Sequence, residues 1–228
     1  MTLQPSLAAI VLCGGRSRRM GQDKASLQIG EKTFLEHTCE TAAQLATPII
    51  VVAAARQLVP EFNNNVMVVR DNVAYPGPLP ALLQGFETLL NQTPLAESPL
   101  AETPLGESPT TFAAPTSVWV TGCDTPFVTP QIIASLWKQQ QRQTANVATL
   151  TQSGRDNPLL AVYEIDALRK LKPFLQTGQV RATDFLTSLN VFRQPVEAIP
   201  RDQNAPAATT NLNTQDDFKQ AFGSNQDC

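Results

Sequence analysis

"LAAIVLCGGRSRRMGQDK", Leu7 to Lys24, joins six apolar residues to a run that suits neither a helix interior nor a strand. The hexapeptide Leu7–Leu12 has the length and two-sided apolar character of a strand buried in a parallel sheet. Residues 13–24 combine flexible backbone at Gly14, Gly15 and Gly21 with positive charge at Arg16, Arg18, Arg19 and Lys24. Glycines let the chain approach a ligand closely and aim N–H groups inward, which makes an anion-binding concavity. The basic side chains supply the charge that a triphosphate demands. The spacing is neither G-x-G-x-x-G nor G-x-x-x-x-G-K-[ST], because Lys24 stands three residues beyond Gly21. The plain alternative is a solvated basic loop whose glycines only turn the chain, with Arg19, Gly21 and Lys24 in register by accident.

The strand has company. Further short apolar runs cover residues 48–54, 66–69, 117–121 and 146–150. Amphipathic helix patterns lie between them at 33–46, 79–90 and 132–143, the last behind Thr129 as N-cap and Pro130 at the first helical position. Alternating strands and helices, with strands apolar on both faces, predict a mostly parallel sheet covered by helices. The second half continues with a turn and a strand through Val162, helices over 165–176 and 180–189, and an extended stretch near 190–199. Thr214-x-x-Asp217 has the capping-box spacing that opens a final helix. Residues 94–108, "PLAESPLAETPLGES", repeat a proline-containing pentad and break the pattern. They are expected to be a disordered surface insert, about 92–116, within one domain spanning 1–228, because loop closure entropy grows slowly with length.

Composition narrows the class. The chain has 228 residues, 42% of them hydrophobic, and a net charge of −3, which excludes a dedicated nucleic-acid-binding surface. Cys13, Cys39, Cys123 and Cys228 show no C-x-x-C spacing, so reduced thiols are expected. No signal peptide or membrane span is legible, and the expected location is cytoplasmic. His37 is the only histidine and falls within a helix pattern, which leaves no histidine-based acid–base pair.

In open parallel sheets ligands bind beyond the carboxyl ends of strands. Four polar stretches are candidates: the loop after Leu12, "RDNVAYPGPL" from Arg70, "GCDTPF" from Gly122, and "NLNT" from Asn211. Asp124 stands just past an apolar strand, where a carboxylate can hold Mg²⁺ together with waters. A turn-capping aspartate is the simpler reading of that residue alone.

Together these residues resemble the molybdenum cofactor guanylyltransferase family of MobA-like nucleotidyltransferases. Its opening L-x-G-G-x-S/A-x-R-M-G-x-D-K is matched at Leu12, Gly14, Gly15, Ser17, Arg19, Met20, Gly21, Asp23 and Lys24. Asp71 with Tyr75–Leu79, "CDTPF" at Cys123–Phe127, "RDNPLLAVY" from Arg155 and "NLNTQDDF" from Asn211 come next, in family order. The resemblance implies a three-layer α/β/α sandwich with a Rossmann-like, mostly parallel sheet. It further implies Mg²⁺-dependent transfer of GMP from GTP to molybdopterin, with molybdoenzymes and their chaperones downstream and neither nucleic acid nor membrane as partner. Carried over by position, Leu12, Cys13 (where alanine is usual), Gly14, Gly15, Gly21, Lys24, Asp71 and Gly77 would contact the nucleotide. Lys24, Arg19 and Asp124 would be catalytic, with Asp124 on the metal, and Arg181, Asn211 and Asn213 would line the molybdopterin side. Cytidylyl transfer, transfer to a sugar phosphate, and a nucleotide-binding regulator without turnover are the alternatives. The Gly14-Gly15 pair, where cytidylyl relatives tend to carry alanine-glycine, favours guanine.

Overall fold

Leu7–Leu12 forms strand β1 at the heart of the computed structural model, which describes residues 6–14, 24–62, 65–71, 77–92 and 114–199. A small antiparallel hairpin, β2 (Gln28–Ile29) and β3 (Lys32–Thr33), leads into helix α1 (Phe34–Ala43). Then come β4 (Ile49–Ala54), β5 (Val66–Asp71), α2 (Pro78–Gln92), β6 (Ser117–Gly122) and α3 (Pro130–Arg142). The remainder is β7 (Val147–Gln152), β8 (Arg155–Glu164), α4 (Ile165–Arg169), α5 (Leu171–Gln176), α6 (Ala182–Thr187) and β9 (Val191–Pro195). The seven-stranded sheet runs in the order β5-β4-β1-β6-β8-β7-β9. β5, β4, β1 and β6 are parallel, β8 alone is reversed, and β7 and β9 run parallel to each other.

Alternation along β1 divides the core in two. Ala9 and Val11 face a cluster with Leu35, Cys39 and Ala42 of α1 and Ile132, Ile133 and Leu136 of α3. Ala8 and Ile10 face Leu82, Phe86 and Leu89 of α2, and this second cluster continues through Leu168, Leu171, Phe185 and Leu186 of α4, α5 and α6. The result is the expected three-layer α/β/α arrangement, because each central strand is apolar on both sides. α2 lies very close to the sheet: a Cβ on Gly85 would stand 2.8 Å from Ile10 Cγ2 and 2.9 Å from Val52 Cγ2. α1 starts on a capping box in which Thr33 and Glu36 satisfy each other's backbone N–H. Thr129 is the N-cap of α3 with Pro130 at its start, although its side chain makes no capping bond.

Two expectations need correction. The helix predicted over 165–176 is two helices, with α4 ending at Arg169. Pro173 explains the break, since its ring collides with the carbonyl four residues back, that of Arg169, and it lacks an N–H. The turn expected in the "RDNP" stretch falls earlier, at Ser153 (φ 50°) and Gly154 (φ 74°), where both residues adopt the left-handed conformation of a two-residue hairpin. β8 therefore begins already at Arg155. The proline-rich pentads and the helix expected near Gln215 lie outside the described residues.

Candidate active site

From β1 the chain moves outward on one side to β4 and β5, then crosses to β6 on the other side of β1. Strand order therefore reverses at β1, and in such sheets the crevice beyond the carboxyl ends of the strands is the ligand site. The register places Leu12 beside both Val52 and Gly122, and Ala54 beside Asp71. Three of the four candidate stretches, those after Leu12, Val69 and Val120, thus leave the sheet along one edge.

The exit of β1 is held on both sides. The N–H groups of Cys13 and Gly14 both donate to Val52 O, at 3.0 and 3.2 Å, and Cys123 N donates to Leu12 O at 3.2 Å. Gly14 passes so near β4 that a Cβ there would lie 3.0 Å from Ala54 N. A side chain here would press on the backbone of β4, so close approach favours glycine.

Gln57, which lies outside every candidate stretch, and Arg70, which opens one of them without an assigned role, complete this exit. The Gln57 carboxamide donates to Cys13 O at 2.9 Å and accepts from Ala54 N at 3.0 Å, bridging the ends of β1 and β4. The Arg70 guanidinium donates to Ala54 O and Gln57 O, while Gln84 of α2 donates to Arg70 O at 2.7 Å. For Gln57 the only signal available was a polar residue shortly after an apolar strand, which is too common to single out.

At the exit of β6, Thr125 Oγ1 donates to Gly122 O at 3.2 Å and lies 3.2 Å from Thr121 Oγ1, so a buried threonine pair pins the turn that carries Asp124. Asp124 itself is half-buried. Its oxygens suit a hard divalent cation, and among the described residues no group of three or more His, Cys, Asp or Glu could cage a metal. Mg²⁺ commonly binds through one or two carboxylates plus substrate phosphates and water, and that is the donor set Asp124 fits.

The far side of the edge is formed by the start of β8. Arg193 of β9 grips Asp156 through Nε at 2.9 Å and Nη2 at 3.0 Å, and Thr149 Oγ1 donates to Asn157 O at 2.7 Å. Asp71 ends β5, one strand out from Ala54. Gly77, at φ +100°, immediately precedes α2. Arg181 is exposed ahead of α6, which packs on β8 rather than on β1. Gly15, Arg19, Gly21, Asn211, Asn213 and the Lys24 side chain lie outside the described residues. His37 sits on α1. Cys13, Cys39 and Cys123 carry buried free thiols within one cluster. Burial, reinforced by Cys13 nearby, pushes the Cys39 thiol up to about 12, so it stays protonated and packs as an apolar group. No helix among the described residues is long and apolar enough to cross a membrane.

A family model described as "MobA-like NTP transferase domain" matches residues 9–191. A probable molybdenum cofactor guanylyltransferase of Mycobacterium ulcerans is 31% identical over 215 residues, covering 93% of this chain and 92% of the relative. The counterpart from Mycobacterium marinum matches equally, at 31% identity over the same shares. Among solved structures, molybdopterin-guanine dinucleotide biosynthesis protein A from Archaeoglobus fulgidus superposes with a TM-score of 0.65 at 21% identity, covering 93% of this chain and 95% of that one. A nucleotidyl transferase from Methanothermobacter thermautotroptrophicus gives 0.62 at 18% identity, covering 94% and 95%. These two likenesses establish the shared α/β fold.

Proposed function

The chain belongs to the MobA-like NTP transferase family, and from that premise we propose that it transfers GMP from GTP to the terminal phosphate of molybdopterin and releases pyrophosphate. The observation that carries this reading is the side-by-side exit of β1 and β6 at the point where strand order reverses. A hydrogen bond from Cys123 N to Leu12 O holds the start of the glycine-rich loop against the start of the turn that carries Asp124.

In this reading the backbone of Leu12–Gly14, continued through Gly15 and Gly21, cradles the nucleotide, while Asp71 and Gly77 border the base or ribose. Arg19 and Lys24 hold the triphosphate in line for displacement. Asp124 holds Mg²⁺, which when bound neutralises charge on the phosphates. The acceptor is a phosphate and already nucleophilic at neutral pH. Its oxygen forms a bond to the α-phosphorus of GTP as the bond to the β-phosphate oxygen breaks. No general base is required, in keeping with the position of His37 on α1. Positioning and electrostatics then supply the rate, as in phosphoryl transfers generally. Arg181, Asn211 and Asn213 serve the acceptor side, with molybdoenzymes and their chaperones receiving the product in the cytoplasm.

The test incubates the purified chain with Mg²⁺, molybdopterin and each of GTP, CTP, ATP and UTP, monitoring pyrophosphate release and product mass. Turnover with GTP alone supports the proposal. Preference for CTP would assign cytidylyl transfer, and nucleotide binding without turnover would make the protein a regulator.

A further inference from the structure

Gly122 ends β6 two residues before Asp124. An ideal Cβ built on it would lie 2.6 Å from Asp124 Oδ1 and 3.7 Å from its Cγ. Its φ lies outside the left-handed region, so the backbone here makes no special demand for glycine. What only glycine provides at this position is space, and the carboxylate of Asp124 occupies that space.

The direction matters. Along β6 the side chains of Val118 and Val120 face the α2 side of the sheet, so the missing Cβ of Gly122 points the same way. Leu12, its register partner on β1, is packed on that side too. The Asp124 carboxylate therefore folds back over the end of β6, on the α2 side of the sheet, instead of projecting from the turn. The backbone of the turn cannot shift to relieve a clash easily, because Thr125 and Thr121 both bond to Gly122 O from buried positions.

We propose that Gly122 is a positioning residue for the metal-holding carboxylate: its lack of a side chain lets Asp124 aim at the phosphate side of the cleft. The proposal rests on the reading of Asp124 given above. Gly122→Ala leaves the backbone conformation allowed and displaces only the far end of a movable side chain, so the fold survives and the carboxylate is turned away.

The experiment measures Mn²⁺ binding, by titration calorimetry, to the full chain with a non-hydrolysable GTP analogue present. It compares the native protein, Gly122→Ala, Asp124→Asn and the double variant, with melting temperatures recorded alongside. Disturbing a group that orients a metal ligand typically costs about 10–100-fold in metal affinity, and a loss of at least about tenfold is expected for Gly122→Ala. In the Asp124→Asn background the same substitution should cause no further loss, which a merely structural effect would not reproduce. Native affinity in a folded Gly122→Ala chain, or an equal additional loss in the double variant, overturns the proposal. Native affinity in Asp124→Asn alone overturns the underlying metal reading, and the single variant identifies that case. If Gly122→Ala does not fold, Thr125→Val takes its place. Loosening the turn should then weaken Mn²⁺ binding only while Asp124 is present, and an unchanged affinity would overturn the proposal.

Discussion

Removing the Gln57 carboxamide should loosen the glycine-rich end of β1 in a measurable way. Among its hydrogen bonds the side chain donates to Cys13 O at 2.9 Å and accepts from Ala54 N at 3.0 Å, in a half-buried setting, with a longer contact from Cys13 Sγ at 3.7 Å. Each of the two shorter bonds is worth about 1 kcal/mol net, so Gln57→Ala should cost about 2 kcal/mol. For a chain of this size about 1 kcal/mol corresponds to 2–4 °C, which predicts a fall in Tm of about 4–8 °C. The same change loosens Cys13 and Gly14 on the ligand side, so KM for the nucleotide should rise more than kcat falls. Gln57→Glu sharpens the test. It can still accept from Ala54 N, yet it sets a carboxylate oxygen against Cys13 O and adds negative charge beside the proposed triphosphate site. Its KM should therefore exceed that of Gln57→Ala despite the retained bond. Thermal melts and steady-state kinetics on the three proteins suffice. A Tm within about 1 °C of native together with an unchanged KM in Gln57→Ala would refute the bridging role.

Gly85→Ala should lower stability even though alanine favours helices by about 1 kcal/mol, because overpacking against Ile10 and Val52 costs about 1–3 kcal/mol; a raised Tm would contradict this. Thr33, through its hydroxyl first and its backbone N–H second, holds the Glu36 carboxyl below its ordinary value. That stabilisation is present above the unfolded pKa and lost as pH falls through the folded one. Glu36→Ala should thus cost about 1 kcal/mol near pH 7, and its gap from native should narrow below about pH 5 in melts over a pH series. Lys24→Ala should weaken GTP binding and slow turnover. Asn213→Asp should spare GTP affinity and abolish transfer to molybdopterin, since like charge opposes the incoming phosphate; binding and turnover assays separate the two.

Much of the sheet was legible because the relevant signals are local. Residues 7–12, 49–54, 117–122 and 147–152 are short apolar runs bounded by polar turns, and each is a strand. The glycine-rich loop and Asp124 stood out for the same reason: their residue types cluster over a few positions. Boundaries were harder, as the break at Lys170 shows, because it depends on a steric clash between Pro173 and a carbonyl one turn earlier.

Sequence alone was enough to mark the apolar strands of the large sheet, a candidate phosphate loop and a candidate metal carboxylate, though not the β2–β3 hairpin, since propensity, charge and backbone freedom are carried within a few neighbouring residues. It could not say that β8 runs antiparallel between β6 and β7, because an apolar run has no direction until it has a partner. Nor could it bring Gln57 to Cys13, 44 residues earlier, or show that Gly122 leaves room for an oxygen of Asp124. Those facts are distances between atoms that only folding brings together, and they decide how the legible residues are aimed.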